Sequence, residues 1–365
     1  MKRTSVIAFG LLVPSTSLEA VEIYNNGGDK LDIYGRVKNE VYLMSDNKDV
    51  DGDQTYIRFG FKGRAEINSH LTGFGQWEYQ VAASKTEGDT KTAKTRLAFA
   101  GLKFGDYGSF DYGRNYGVLY NIGSYTNVMP EFTTQSYAKT DNFMTTRTSG
   151  VATYSDNTFF GLVDGLKITF QYQGKNENDG RSASKQNGDG VGTSLTYDIS
   201  DTGLSVGAGY TKSNRTLEQK NQDFGKGDNA EAWNAGIKYD VNKVYLAAVY
   251  AETSNMTPIS GTATINGENK NISGFVNRNQ AFEIVAQYLF DSGFHPSIGY
   301  IYSRGKGIEG VGDTDLISYV DVSATYFFTK KFSTFIEYKI NRLSDNNALH
   351  LNNDDVLAIG LLYQF

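Results

Sequence analysis

Cysteine is absent, proline occurs only 4 times in 365 residues, and no apolar run reaches 18 residues. The first absence removes disulfides, thiolate nucleophiles and Cys-ligated zinc. The last excludes a membrane-spanning helix, so a membrane protein of this sequence has to be a closed barrel. No basic run is present either, and a formal charge of -6 speaks against a nucleic-acid partner. Histidine is scarce: His70, His295 and His350. The first two fall in short turns and the third in the last long loop, so they do not converge on one catalytic site.

What is abundant is glycine (40), tyrosine (25) and phenylalanine (22). Aromatic residues favour pleated surfaces and glycine punctuates, which suits many strands and tight turns. The N-terminus "MKRTSVIAFGLLVPSTSLEA" carries Lys2 and Arg3, an apolar run from Val6 to Val13, then Pro14 and small residues to Ala20. This is the layout of a secretory signal peptide over residues 1–20, with Leu18 an unusual residue before the cut. The alternative is a short N-terminal core helix. The remainder, 21–365, reads as a single domain.

Period two dominates that remainder. In "KLDIYGRVKNEVYL", Leu31, Ile33, Val37, Val41 and Leu43 take odd positions, while Asp32, Arg36, Lys38 and Glu40 take even ones. "TYIRFGFKGRAEI" repeats this with Ile57, Phe59, Phe61, Ala65 and Ile67 against Arg58, Lys62, Arg64 and Glu66. The pattern recurs from Leu166, Val244 and Phe282 onward. Short turns ("NSHLTG", "FGDYGS", "LVDGLK", "DISDTGL", "DVNKV", "FDSGF", "FTKKF") alternate with long polar stretches such as "GKNENDGRSASKQNGDG". Seven turns and eight long loops join sixteen antiparallel strands, the all-β layout of an outer-membrane barrel. Tyr34, Tyr239, Tyr250, Tyr288, Tyr326 and Tyr338, near strand ends, suit interfacial girdles. The chain ends "VLAIGLLYQF", with Leu357, Ile359, Leu361, Tyr363 and Phe365 on alternate positions. A closed barrel has no free edge, so this last strand pairs with the first.

At this point the chain resembles the general, non-specific trimeric porins of Gram-negative outer membranes. The likeness runs through "VEIYNNGGDKLDIYGR", "TYIRFGFKG", "LTGFGQWEYQ", "TRLAFAGLKFGDYGSFDYGRNYG", "PEF", "DNFMTTR", "FFGLVDGL", "NGDGVG" and the terminal "YQF". It implies a sixteen-stranded transmembrane barrel, three to an assembly, with a long third loop (about Val118 to Asn142) folded into the lumen. It implies passive, size- and charge-sieved diffusion of small hydrophilic solutes, with no cofactor and no metal. The basic residues it places on the pore wall are Arg36, Arg58, Arg96 and Arg147, facing Glu131 on the loop. Tyr363 and the terminal Phe365 match the ending that the barrel insertion machinery reads in this class, and lipopolysaccharide is the expected lipid partner.

The chain departs from the family where two loop carboxylates are expected: Asn127 and Gln135 stand there, and Asn121 replaces a third. Glu131 and Asp141 remain and Lys139 is added. The expectation is a less acidic constriction and weak selectivity, tipped toward anions, since one carboxylate near a permeating cation contributes about 1 kcal/mol. The phosphate-preferring relatives carry Lys directly before the matched Arg; here that residue is Thr146. The resemblance also implies a latch between subunits, carried by Glu87 on the second loop and Arg114. "NKDVDGDQT" starts like a calcium loop at Asn47, Asp49, Asp51 and Gly52, but its twelfth place is Arg58 where a bidentate Glu is needed. An enzyme, a soluble β protein and a substrate-specific channel are the rival readings; the last would want an aromatic ladder along the pore.

Overall fold

The computed structural model describes residues 20–44, 52–90, 92–132, 136–177 and 180–365. The expected leader lies outside these except for Ala20, as do Asn47, Asp49 and Asp51 of the calcium-like stretch. Sixteen strands make the wall. They are β1 Asp29–Met44, β2 Tyr56–Asn68, β3 Leu71–Ala82, β4 Ala93–Phe104, β5 Ser109–Tyr116 and β6 Arg147–Asp156. Then follow β7 Leu166–Gln173, β8 Gly190–Ile199, β9 Leu204–Asn214, β10 Asn229–Val241 and β11 Val244–Ser254. The last five are β12 Arg278–Tyr288, β13 Phe294–Ile308, β14 Gly312–Thr329, β15 Phe332–Asn341 and β16 Val356–Gln364. Each pairs antiparallel with its sequence neighbour, and β16 pairs with β1 to close the ring. Beside β1 and pairing with it lie two further strands, Val21–Asn26 and Gly52–Asp53.

Closure explains the final residues. Val37, Asn39, Val41 and Leu43 stand opposite Tyr363, Leu361, Ile359 and Leu357, so the outward rows of β1 and β16 meet. Past the strand, Phe365 N–H donates to Gly35 O at 3.0 Å and Gly35 N–H to Phe365 O at 2.8 Å. Around the wall Leu195, Ile237, Leu246, Ile284, Ile298, Val322, Ile336 and Ile359 all point outward and are exposed. Arg36, Lys38, Glu40, Glu78, Glu283, Asp321 and Glu337 are buried on the inner face. A one-residue slip of β1 would put Arg36, Lys38 and Glu40 into hydrocarbon, at about 2–4 kcal/mol for each basic residue near the midplane.

All seven short turns form where the sequence places them, at 69–70, 105–108, 157–165, 200–203, 242–243, 289–293 and 330–331. At that end outward rings touch in series: Tyr288 to Phe290 at 4.7 Å, Phe290 to Phe294 at 5.9 Å, Tyr326 to Phe328 at 5.0 Å and Phe328 to Phe332 at 5.6 Å. This is the interfacial girdle.

Three expectations change. Tyr34 does not belong to the girdle: it is even-numbered, faces the lumen with the charges of β1, and is 1% exposed. The seventh of the eight long loops is a three-residue turn, 309–311, because β13 and β14 run on as a regular hairpin. His295 sits inside β13 rather than in the turn before it. The sixth loop, 255–277, carries its own hairpin, Pro258–Ile265 with Glu268–Phe275.

Tyr34 fills the space left by the missing side chain of Gly60 on β2. A Cβ there would lie 2.5 Å from the Tyr34 ring and 2.6 Å from the Trp77 carbonyl oxygen. Gly60→Ala is expected to lower barrel stability by about 1–3 kcal/mol through overpacking, read as a lower unfolding temperature of the heat-modifiable band in detergent. An unchanged temperature would show that the ring yields freely.

Candidate functional site

Alternating polar-in residues fail on one part of the wall, and the failure locates the site. On β11 the inner positions are Tyr245, Ala247, Val249 and Ala251, all buried, although the outer face is apolar as well. Next to them, on β9 and β10, the inner positions Gly207, Gly209 and Gly236 leave room. A Cβ there would lie 3.0 Å from Ile122, 3.0 Å from Leu119 and 2.8 Å from Ile122 respectively. These two residues belong to the third loop, which runs from 117 to 146 and opens with one helical turn, α1 Tyr120–Gly123. Ile122, Tyr125, Met129, Tyr137 and Ala138 of the loop pack on the apolar seat.

Polar groups on the wall then bind the loop backbone, as a buried loop requires. Amide side chains donate to its carbonyls: Asn234 to Leu119 at 2.8 Å, Gln287 to Val128 at 3.1 Å and Asn279 to Ser136 at 3.0 Å. Carboxylates accept from its N–H and O–H groups. Glu283 accepts from Thr126 Oγ1 at 2.5 Å and from both the Ser136 amide, at 3.3 Å, and the Ser136 hydroxyl. Glu337 accepts from the amides of Glu131 at 2.6 Å and Phe132 at 2.8 Å. The loop tip is thus tethered beside Glu131 itself.

A cavity of about 480 Å³ remains between this loop and the wall of β1–β4. The four arginines named from the sequence all line it, as do Glu131 and Asn127. Arg58 donates to Gln80 Oε1 at 2.9 Å through Nη2, and Arg96 Nε donates to Glu78 Oε1 at 2.5 Å. Arg147 Nη2 reaches Thr140 Oγ1 at 3.1 Å, while Arg36 Nε has no partner among the described residues. Asn127 is turned onto the Tyr120 hydroxyl. Asn121 faces the wall instead, donating to Ser194 Oγ at 2.9 Å and Thr169 Oγ1 at 3.2 Å, so it does not stand at the opening. Gln135 lies outside the described residues.

The sequence reading missed the partner of Glu131. Lys38 Nζ is ion-paired to Glu131 Oε2, to Glu40 Oε2 at 2.7 Å, and donates to Pro130 O at 3.0 Å. Tyr42 donates its hydroxyl to Glu131 Oε1. Burial raises the Glu131 carboxyl, but the Lys38 charge and the hydrogen bonds to it win and hold it below the usual carboxylate range. Lys94 and Glu78 also line the cavity and were not singled out. Parity was the available signal: Lys38 and Glu40 share the even face of β1 with Arg36, and Glu78 shares that of β3 with Gln76 and Gln80. Among the described residues the lining therefore carries six basic side chains (Arg36, Lys38, Arg58, Lys94, Arg96, Arg147) against two acidic ones, Glu78 and Glu131.

Of the two latch residues, Glu87 is exposed on the second loop. Arg114 is engaged within its own chain, by Asp141 at 2.5 and 3.1 Å and by Ser149 Oγ at 2.9 Å.

Glu283→Ala is expected to loosen the loop. It removes a charged acceptor worth about 1.5–3 kcal/mol per bond, so the Ser136 amide should exchange its hydrogen about tenfold faster or more. Unchanged exchange there would mean that the apolar seat alone holds the loop.

The sequence and the fold both have known relatives. The Gram-negative porin family matches residues 26–365. The chain is 55% identical over 364 residues to outer membrane porin PhoE of Escherichia coli (strain K12), covering 100% of this chain and 99% of that one. It is 53% identical over 375 residues to outer membrane protein F of Serratia marcescens, with 100% of both covered. A solved structure, Salmonella typhi OmpF complex with daunomycin, superposes with a TM-score of 0.87 at 44% identity, covering 94% of this chain and 100% of that one. With a sixteen-stranded barrel, an inward third loop and a match over nearly its whole length, the chain belongs to the Gram-negative porin family.

Proposed function

We propose that this outer-membrane porin is a general diffusion channel whose charge filter lies between Glu131 and the basic wall of β1–β4, and that the filter favours anions weakly. Solutes pass through water in the lumen, down their own gradients, sorted by size and by the transverse field. The single observation that carries the anion bias is the imbalance of six basic to two acidic side chains around the cavity, with Glu131 already ion-paired to Lys38. Arg36, Arg58, Arg96 and Arg147 form the basic side, and Asn127 and Gln135 stand where carboxylates would have opposed them. The role is transport without chemistry. It rests on family membership and on the separation of His70 in a turn, His295 in β13 and His350 in the last loop.

Assembly as a homotrimer fits the outward aromatic face of β2 and β3, where Trp77 lies 5.7 Å from Phe59, 5.9 Å from Phe61 and 5.3 Å from Tyr79. Glu87, on the loop that follows β3, would reach the partner near Arg114, whose ion pair with Asp141 it would share. We assign residues 1–20 as a cleaved leader and Tyr363 with Phe365 as the ending read by the insertion machinery. Lipopolysaccharide would meet the outward charges Lys212, Arg278 and Lys306 near the loop ends of their strands.

Reversal potentials in a KCl gradient test the bias. The wild type should show weak anion preference; strong cation preference would reject the reading. Lys38→Met removes one positive charge and frees Glu131, so relative chloride permeability should fall several-fold, consistent with about 1 kcal/mol per nearby charge. Trimer melting on semi-native gels tests the latch separately. Glu87→Ala should lower the melting temperature, and an unchanged value would remove the latch from the account.

A further inference from the structure

Above the third loop, four loops meet around a second cavity of about 380 Å³. The third contributes Lys139, the fourth Ser182 and Ser184, the fifth Glu218, and the sixth Ile259 and Phe275. Two of these groups carry opposite charge, yet they form no ion pair with each other. The Lys139 ammonium has no hydrogen-bond or ion-pair partner among the described residues, and only one oxygen of Glu218, Oε2, is engaged, by Gln186 Nε2. An exposed ion pair is weak, so little draws these two charges together and both remain available to a solute.

The backbone that carries each charge is held in place. The backbone at Lys139 is fastened on each side, its N–H donating to Thr145 Oγ1 at 3.2 Å and its carbonyl accepting from the same hydroxyl at 3.0 Å. Glu218 sits on the short helix Leu217–Lys220, started by a reciprocal cap in which Thr216 and Gln219 bond each other's backbone amides. Gln219 Nε2 ties that helix to the fourth loop through the carbonyls of Ala183 at 2.9 Å and Gln186 at 2.7 Å. Arg215 clamps the fifth loop from behind, donating to Gly227 O at 2.7 Å and Gln219 O at 2.7 Å, with its guanidinium 4.9 Å from the centre of the Phe275 ring. The frame of the cavity is therefore fixed, and its volume lies at the low end of the size range for small-molecule pockets.

We propose that this vestibule cavity binds small zwitterions of the amino-acid or dipeptide class, the carboxylate toward Lys139 and the ammonium toward Glu218. A simple anion would gain at Lys139 and lose at Glu218, and a simple cation the reverse. A dipolar solute gains at both ends, while Ser182 and Ser184, whose hydroxyls lie 3.1 Å apart, face the amide of a dipeptide and Ile259 and Phe275 its carbon skeleton. The inference rests on the channel reading, since the third loop that supplies Lys139 is the one that enters the lumen, and it adds a selective step ahead of the charge filter.

The test is current-noise analysis on channels in planar bilayers, with diglycine, uncharged N-acetylglycinamide and acetate added in turn. Diglycine should add binding noise that N-acetylglycinamide does not. Lys139→Met and Glu218→Gln should each weaken diglycine binding up to about fivefold, the scale of one exposed ion pair. The proposal fails if diglycine adds no noise, if its binding survives both substitutions unchanged, or if acetate binds as well as diglycine. KCl conductance recorded in the same membranes separates the two readings: conductance with no diglycine binding removes this site and leaves the channel.

Discussion

Every backbone N–H and C=O that meets hydrocarbon has to find its partner inside the protein. The rest of the molecule follows from that. Sheet edges are forbidden, so β16 must find β1, and the join is completed by the paired amides of Gly35 and Phe365. A closed sheet has two faces of unequal environment, and strand alternation sorts the residues between them. Leu195, Ile298 and Tyr326 go out to lipid; Arg36, Lys38 and Glu337 go in. The charged lumen is thus a consequence of folding in a membrane before it is a device for transport.

A ring of inward charge would make a wide, evenly wet tube if nothing else entered it. The third loop enters because the inner wall of β9–β11 breaks the rule and offers glycine, alanine and valine where the loop's apolar side chains meet it. Burying Ile122, Leu119 and Met129 there supplies the drive, and amide and carboxylate side chains on the wall satisfy the loop backbone. This use of acid groups has an electrostatic consequence. Glu283 and Glu337 are spent on holding the loop, pointing at backbone amides rather than at the water path. The acidic share of the lumen is therefore larger than the acidic share of the opening, and the basic wall faces less opposition than a count of residues suggests.

Most of this was legible in the chain. Period two, the spacing of turns and the terminal aromatic residue define a sixteen-stranded closed sheet, because each reports a local rule of strand geometry. Tyr34 shows where such reading goes wrong. A tyrosine near a strand end suits a girdle by type, but its even position, shared with Arg36 and Lys38, already assigned it to the lumen. The seventh loop differs from its expected length for another reason: polar residues such as those after Arg304 serve equally in a loop and in a regular hairpin. The seat of the third loop was harder still. Small apolar residues on both faces of β11 resemble a strand buried on two sides, and only the loop's own Ile122 and Tyr125 reveal what covers the inner one.

The ion pair of Lys38 with Glu131 joins shape to charge. Glu131 is on the loop and Lys38 on the wall, so the bond that neutralises the acid also fixes how far the loop tip stands from β1. Its other contacts act in the same sense: Tyr42 and the Pro130 carbonyl draw the tip to the same strand, and Glu337 holds its amides from β15. A free carboxylate at this place would push selectivity toward cations and would also lack one of the restraints that set the width of the passage. In the proposed filter, size sieving and charge sieving are therefore not independent settings. Any substitution that changes the charge at the tip changes the tether as well, while Arg58 and Arg96 across the cavity, tied to Gln80 and Glu78, stay fixed as one half of the proposed filter.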